Sequence, residues 1–82
     1  MKDSVWIKHI VEAAENAVLF AEGKDFDEIR TNEMFYLAVL KCVEIIGEAS
    51  NRLSEEEKQK YIDIPWKEII AMRHRLVHGY FN

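Results

Sequence analysis

The sequence contains one cysteine, Cys42, one proline, Pro65, and three glycines, at 23, 47 and 79. A single thiol cannot close an internal disulfide, which excludes a cysteine-stapled secreted scaffold. So little proline and glycine excludes a loop-rich or low-complexity chain. No apolar run approaches the roughly 18 residues that a membrane-spanning helix needs, and no charged-then-apolar leader opens the sequence. The expectation is a cytoplasmic protein with no membrane association. Strand-like alternation, internal repeats and linker-like segments are also lacking, so helices must carry the fold.

What is present fits one helical domain over residues 1–82. Hydrophobic residues make up 49% of the chain and charged residues 32%, a balance that supports a packed core. A chain this small buries only about 60 to 65% of its unfolded surface, so a second subunit would add substantially to its stability. The net charge of −4 is unevenly distributed. Residues 1–65 carry eight Lys or Arg against fourteen Asp or Glu, whereas 66–82 carry Lys67, Arg73 and Arg75 against Glu68. A basic end on an acidic body suits a compact anion such as one phosphate better than an extended nucleic-acid surface.

Helical periodicity divides the chain into elements. Asp3 or Ser4 caps a first helix over about 4–22, with Ile7, Ile10, Val11, Ala14, Val18 and Ala21 as its apolar stripe and Gly23 as its stop. The charged segment 23–28 reads as a turn, with Phe26 and Ile29 folded back over the core. Thr31 or Asn32 caps a second long helix, whose inner line is Phe35, Leu37, Leu40, Val43, Ile46, Ala49 and Leu53. Cys42 sits in that pattern as a small buried hydrophobe. Gly47 lies inside the same helix, where glycine costs about 1 kcal/mol against alanine, and close approach of another helix explains it. Ser54 with Glu57 forms a capping box for a short helix reaching about Tyr61. Pro65 then takes the first turn of a last long helix, lined by Trp66, Ile69, Ile70, Met72, Leu76 and Val77 and ended by Gly79.

Candidate chemistry is confined to that last helix. Arg73 rises from the edge of the apolar stripe, where a half-desolvated guanidinium calls for an anion. That anion is either a ligand or a structural partner, Glu44 or Glu48. His78 lies five residues on, about 140° around an ideal helix. If the helix ends at Gly79, the chain can swing His78 back towards Arg73; otherwise a second subunit supplies the facing half. A fixed cation beside an imidazole can cleave a phosphodiester, the histidine moving protons and the arginine gripping nonbridging oxygens. No cofactor is called for. His74 and His78 stand at zinc-compatible spacing, but no third ligand is near in sequence, so a metal site is not expected. His9, beside Trp6, reads as a half-buried packing residue.

The string Arg73-His74-Arg75-Leu76-Val77-His78, followed by Gly79-Tyr80-Phe81, resembles the arginine-polar-x-x-x-histidine motif of HEPN ribonucleases of the HepT type. The segments 44–49 (Glu-Ile-Ile-Gly-Glu-Ala), 64–70 (Ile-Pro-Trp-Lys-Glu-Ile-Ile) and 9–13 (His-Ile-Val-Glu-Ala) resemble that family in the same order. The resemblance implies an all-α, up-and-down HEPN bundle of three long helices and one short one. It further implies a homodimer that brings two motifs into one basic cleft and cleaves RNA without metal. Arg73 and His78 would be catalytic, with His74 supporting them at the polar position. The family pairs with a minimal nucleotidyltransferase antitoxin in toxin–antitoxin systems, and the antitoxin silences the toxin by AMPylation of the tyrosine two residues past the motif histidine, here Tyr80. Family members continue beyond the Tyr-Phe pair with another amphipathic helix, so the family's C-terminal helix is expected to be missing here. The alternative function is a noncatalytic helical subunit that docks a nucleotidyltransferase and uses the same residues to hold a nucleotide.

Overall fold

A computed structural model describes the backbone of residues 2–80, with side chains except those of 76, 77, 79 and 80. It contains five helices: α1 (Asp3–Ala21), α2 (Phe26–Thr31), α3 (Glu33–Arg52), α4 (Glu55–Lys60) and α5 (Trp66–Tyr80). There is no strand among the described residues, so the chain is all-α, as its periodicity requires. α3 is the middle element, packed against α1 and against α5, while α2 leans mainly on α3. None of these helices is long and apolar enough to cross a membrane.

The buried positions are mostly small. Ala13, Cys42, Gly47, Ala49 and Ser50 lie at the helix contacts, with Leu53 the one large buried side chain among the described residues. Small residues let backbones approach closely, and the result is a thin three-helix layer rather than a thick core. Burial also holds the Cys42 thiol above its ordinary pKa, as expected of a packing residue.

α1 is rotated from the orientation its apolar stripe suggests: Ile7, Ile10, Ala14 and Ala21 of that stripe are half-buried. Trp6, Ile10, Ala13, Ala17 and Phe20 face the bundle, whereas Val11 and Val18 are exposed, Val18 by 71%. The centres of the two lines lie roughly 90° apart on an ideal helix. α1 is apolar on both, and contact with α3 covers the line that carries Trp6 and Phe20, with Ala13 and Ala17 between them. Its cap differs too: Lys2 takes the N-cap position without a side-chain bond, and Asp3 is inside the first turn.

The segment after Gly23 is a turn only in part. Gly23 adopts φ +73° and ends α1 as expected, but residues 26–31 form α2, capped by the Asp25 carboxylate accepting from the Glu28 N–H at 2.8 Å. Phe26 is 76% exposed and is no lid over the core, because it falls in the outward first turn of that helix. Lys24 instead lies over the Phe35 ring at 4.3 Å. Asn32 caps α3 through the Phe35 N–H, as read from the sequence.

Candidate functional site

α5 starts where several constraints converge. The Pro65 carbonyl accepts the Ile69 N–H at 3.1 Å, placing proline at the cap, one position before the first turn. The Trp66 indole N–H is shared between the carbonyls of Lys58 at 3.2 Å and Tyr61 at 3.1 Å, tying the start of α5 to the end of α4. From there α5 crosses α3 at Gly47. A Cβ placed on Gly47 would collide with Cβ and Cγ of Arg73 and lie 3.4 Å from its Cδ. The glycine therefore makes room for the arginine stem, which accounts for its place in a helix interior.

Arg73 turns its guanidinium towards α3, where Nη2 meets Glu48 Oε2 at 3.3 Å. The same carboxylate receives Arg52 Nε at 2.7 Å on its other oxygen. Arg52 in turn lies 5.4 Å from the centre of the Trp6 ring on α1. One polar line thus runs Trp6, Arg52, Glu48, Arg73 across all three long helices. The ion pair is partly sheltered, with 29% of the Arg73 side chain and 35% of the Glu48 side chain exposed. Arg73 Nε is buried and has no hydrogen-bond partner among the described residues. Of the two glutamates expected to compete for Arg73, Glu48 holds it, while Glu44 pairs with Lys41 at 3.8 Å.

On the outer face of α5, His74 and His78 are in contact with ring centroids 4.3 Å apart and planes tilted by 57°. Both are exposed. α5 continues through Gly79 to Tyr80, so Gly79 does not end it. Glycine stops a helix when the chain turns left-handed there; within continuing helical geometry it only lowers propensity. His78 therefore stays about 140° from Arg73 and is not swung back towards it within one chain. His74 stands between them, about 100° from Arg73 and 40° from His78. Tyr80 falls at the helix end rather than on a turn beyond it, and its side chain, like the whole of Phe81, lies outside the described residues.

A cleft of about 540 Å³ opens where α5 crosses α3, lined among others by Asn51, Lys67, Arg73, His74 and Arg75 and by no carboxylate. It adjoins a second cleft of about 460 Å³ beside Ile62, Ile64 and Trp66, the two sharing Asn51, Lys67 and Ile70. On the other side of Arg73, a smaller cleft of about 230 Å³ is lined by His9, Lys41, Glu44, Ile45 and Glu48. His9 makes an edge-on contact with Trp6 at 5.6 Å and is half-buried, the packing role expected of it. Periodicity did not reveal that His9 borders the Arg73 ion pair, because that depends on how α1 is rotated against α3. Among the described residues no three His, Cys, Asp or Glu side chains group as a metal site would require.

A family model described as ribonuclease HepT-like matches residues 10–82. A Methanocaldococcus jannaschii protein named as a candidate RNase is 38% identical over 73 residues, 89% of this chain and 67% of its own length. Another from the same organism is 35% identical over 73 residues, 89% of this chain and 60% of its own length. A Thermococcus cleftensis protein named as a probable ribonuclease HepT is 34% identical over 77 residues, 94% of this chain and 70% of its own length. The matched stretch thus spans between 60% and 70% of these three relatives. No solved structure matches the chain.

Proposed function

This chain belongs to the HepT-like ribonuclease family, and from that premise we propose that it cleaves RNA phosphodiesters without metal in a cleft that two copies build. The observation that carries this reading is the carboxylate-free cleft at the α3–α5 crossing, where Lys67, Arg73, His74 and Arg75 meet. Cations of that density attract a phosphate, and the arginine fork binds its nonbridging oxygens. Arg73 and His78 are the proposed catalytic pair, with His74 supporting the His78 ring through their tilted contact. Neutral His78 takes the proton of a ribose 2′-hydroxyl as the 2′-oxygen bonds to phosphorus. The bond to the 5′-oxygen breaks, and that leaving oxygen takes a proton from water, giving a cyclic phosphate and a 5′-hydroxyl. The angle between Arg73 and His78 on one continuous helix favours the homodimer, since a two-fold axis can set one copy's arginine opposite the other's histidine.

The proposed partner is a minimal nucleotidyltransferase antitoxin that adenylates Tyr80. AMP at the end of α5 would place a phosphate and its bulk beside the cations that bind substrate, closing the cleft by sterics and charge together. A second reading takes support from the Glu48–Arg73 ion pair, which already satisfies one edge of the guanidinium: a noncatalytic subunit that holds a nucleotide in the basic cleft and docks the nucleotidyltransferase.

Complementation tests the first reading. Arg73→Ala and His78→Ala homodimers are each expected to be inactive on RNA in the presence of chelator. Dimers carrying one chain of each variant retain one complete pair and should recover up to half the wild-type rate. Recovery from neither mixture nor wild type, with nucleotide still bound, supports the second reading instead.

A further inference from the structure

We propose that Glu48 is a positioning residue for the cleavage reaction, fixing the guanidinium of Arg73 through a carboxylate that is itself anchored by Arg52. The inference rests on Arg73 being the phosphate-binding arginine. Glu48 stands one residue from the glycine over which the Arg73 stem crosses, and its two oxygens divide between two arginines. The bond to Arg52 is the shorter, 2.7 Å against 3.3 Å, and Arg52 is itself seated at the Trp6 ring. Glu48 is thus held from the α1 side and presents its second oxygen to α5. The longer contact leaves Arg73 oriented without being neutralised, because one negative charge is shared by two cations and the trio stays net positive.

The geometry of Arg73 requires such a holder. Gly47 offers its stem no side chain to pack against, and Nε is buried without a partner among the described residues. An arginine side chain loses rotamer freedom when fixed, and among the described residues the Glu48 carboxylate is the partner that offsets that ordering in advance of substrate. Removing the negative charge frees the guanidinium to move and raises its attraction for phosphate, so binding and turnover should respond in opposite directions.

The experiment measures kcat on mixed-sequence RNA and the Kd of a noncleavable 2′-deoxy oligonucleotide for the dimeric protein. Glu48→Gln is expected to lower kcat at least tenfold while Kd stays equal or tightens, and Glu48→Asp, which keeps the charge, should recover part of the loss. Arg52→Gln, which leaves Glu48 in place but unanchored, should lower kcat two- to fivefold, and it carries the test if Glu48→Gln does not fold. Wild-type kcat in whichever of the two variants is read overturns the proposal, as does a Kd that weakens in step with kcat. If Arg73→Ala itself cleaves at the wild-type rate, the site reading fails; if Arg73→Ala is dead and Glu48→Gln is not, only the role of Glu48 fails.

Discussion

Two polar constructions hold this bundle together, and they differ in how completely they are satisfied. At the start of α4 the Ser54 N–H and hydroxyl both donate to the Asp3 carboxylate, at 3.0 and 2.6 Å, while the hydroxyl oxygen accepts the Glu57 N–H at 3.1 Å. Every group in that clasp that can bond does so. At the α3–α5 crossing Arg73 has, among the described residues, one carboxylate contact at 3.3 Å and a buried Nε with none. The first arrangement is what a fold does with polar groups kept only for stability. The second leaves a guanidinium only partly satisfied, with 29% of the side chain exposed, beside a basic cleft where an incoming anion can meet it.

The largest effect should separate the two outright. Arg73→Ala is expected to reduce RNA cleavage by about 100-fold or more, the loss typical of removing an anion-stabilising donor, while changing stability by less than about 1 kcal/mol because the ion pair is partly exposed. Ser54→Ala should do the reverse, destabilising by about 0.5 to 2 kcal/mol through the lost cap and leaving kcat as it was. Rate measurements paired with urea midpoints would check both, and a Ser54→Ala protein that loses cleavage without losing stability would break the comparison.

Gly47→Ala comes next. Alanine gains about 1 kcal/mol in helix propensity, but its methyl meets Cβ and Cγ of Arg73. Cβ is fixed to its backbone and cannot swing aside, so α3 and α5 must separate, at the roughly 1 to 3 kcal/mol typical of overpacking. The expected net is a lower urea midpoint together with a drop in cleavage of about tenfold from displaced Arg73. An alanine variant more stable than wild type would mean that the crossing is looser than the Gly47 contact implies.

Much of this was legible in the sequence, for reasons that differ by residue. Asn32 and Ser54 announced their caps because capping is local chemistry between residues three apart. Gly47 announced a crossing because glycine is otherwise out of place mid-helix. The capping box was only half right: Glu57 pairs with Lys60 at 3.2 Å instead of reaching back, and Asp3, 51 residues away, takes the Ser54 N–H. That substitution depends on how α1 meets α4, which no local pattern records. The inward face of α1 was hidden likewise, since two apolar lines of similar strength run along it. At the site, the Arg73 position at the edge of the apolar stripe pointed to an anion, and Glu48 was one of two glutamates in reach. The choice between them required the rotation of α3, and the persistence of α5 through Gly79 required its backbone geometry.

The smallest effect expected is on the clasp itself, and it depends on pH. The Asp3 carboxyl is held below its ordinary pKa chiefly by the Ser54 hydroxyl bond, then by the Ser54 N–H. A carboxyl with a depressed folded-state pKa stabilises the fold at all pH values above its unfolded pKa, about 3.9 for aspartate, and the contribution fades as pH falls through the lower folded value. Asp3→Asn keeps the shape but carries no charge, so it mimics the protonated clasp at every pH. The variant should therefore unfold at lower urea than wild type at pH 7, with the gap narrowing below about pH 4 and closing further as the wild-type carboxyl protonates. Cleavage at pH 7 should match wild type, since Asp3 lies on the α1–α4 side of the bundle and outside the basic cleft. A stability gap as wide at pH 3 as at pH 7 would show that the clasp works by shape alone, with its charge contributing nothing.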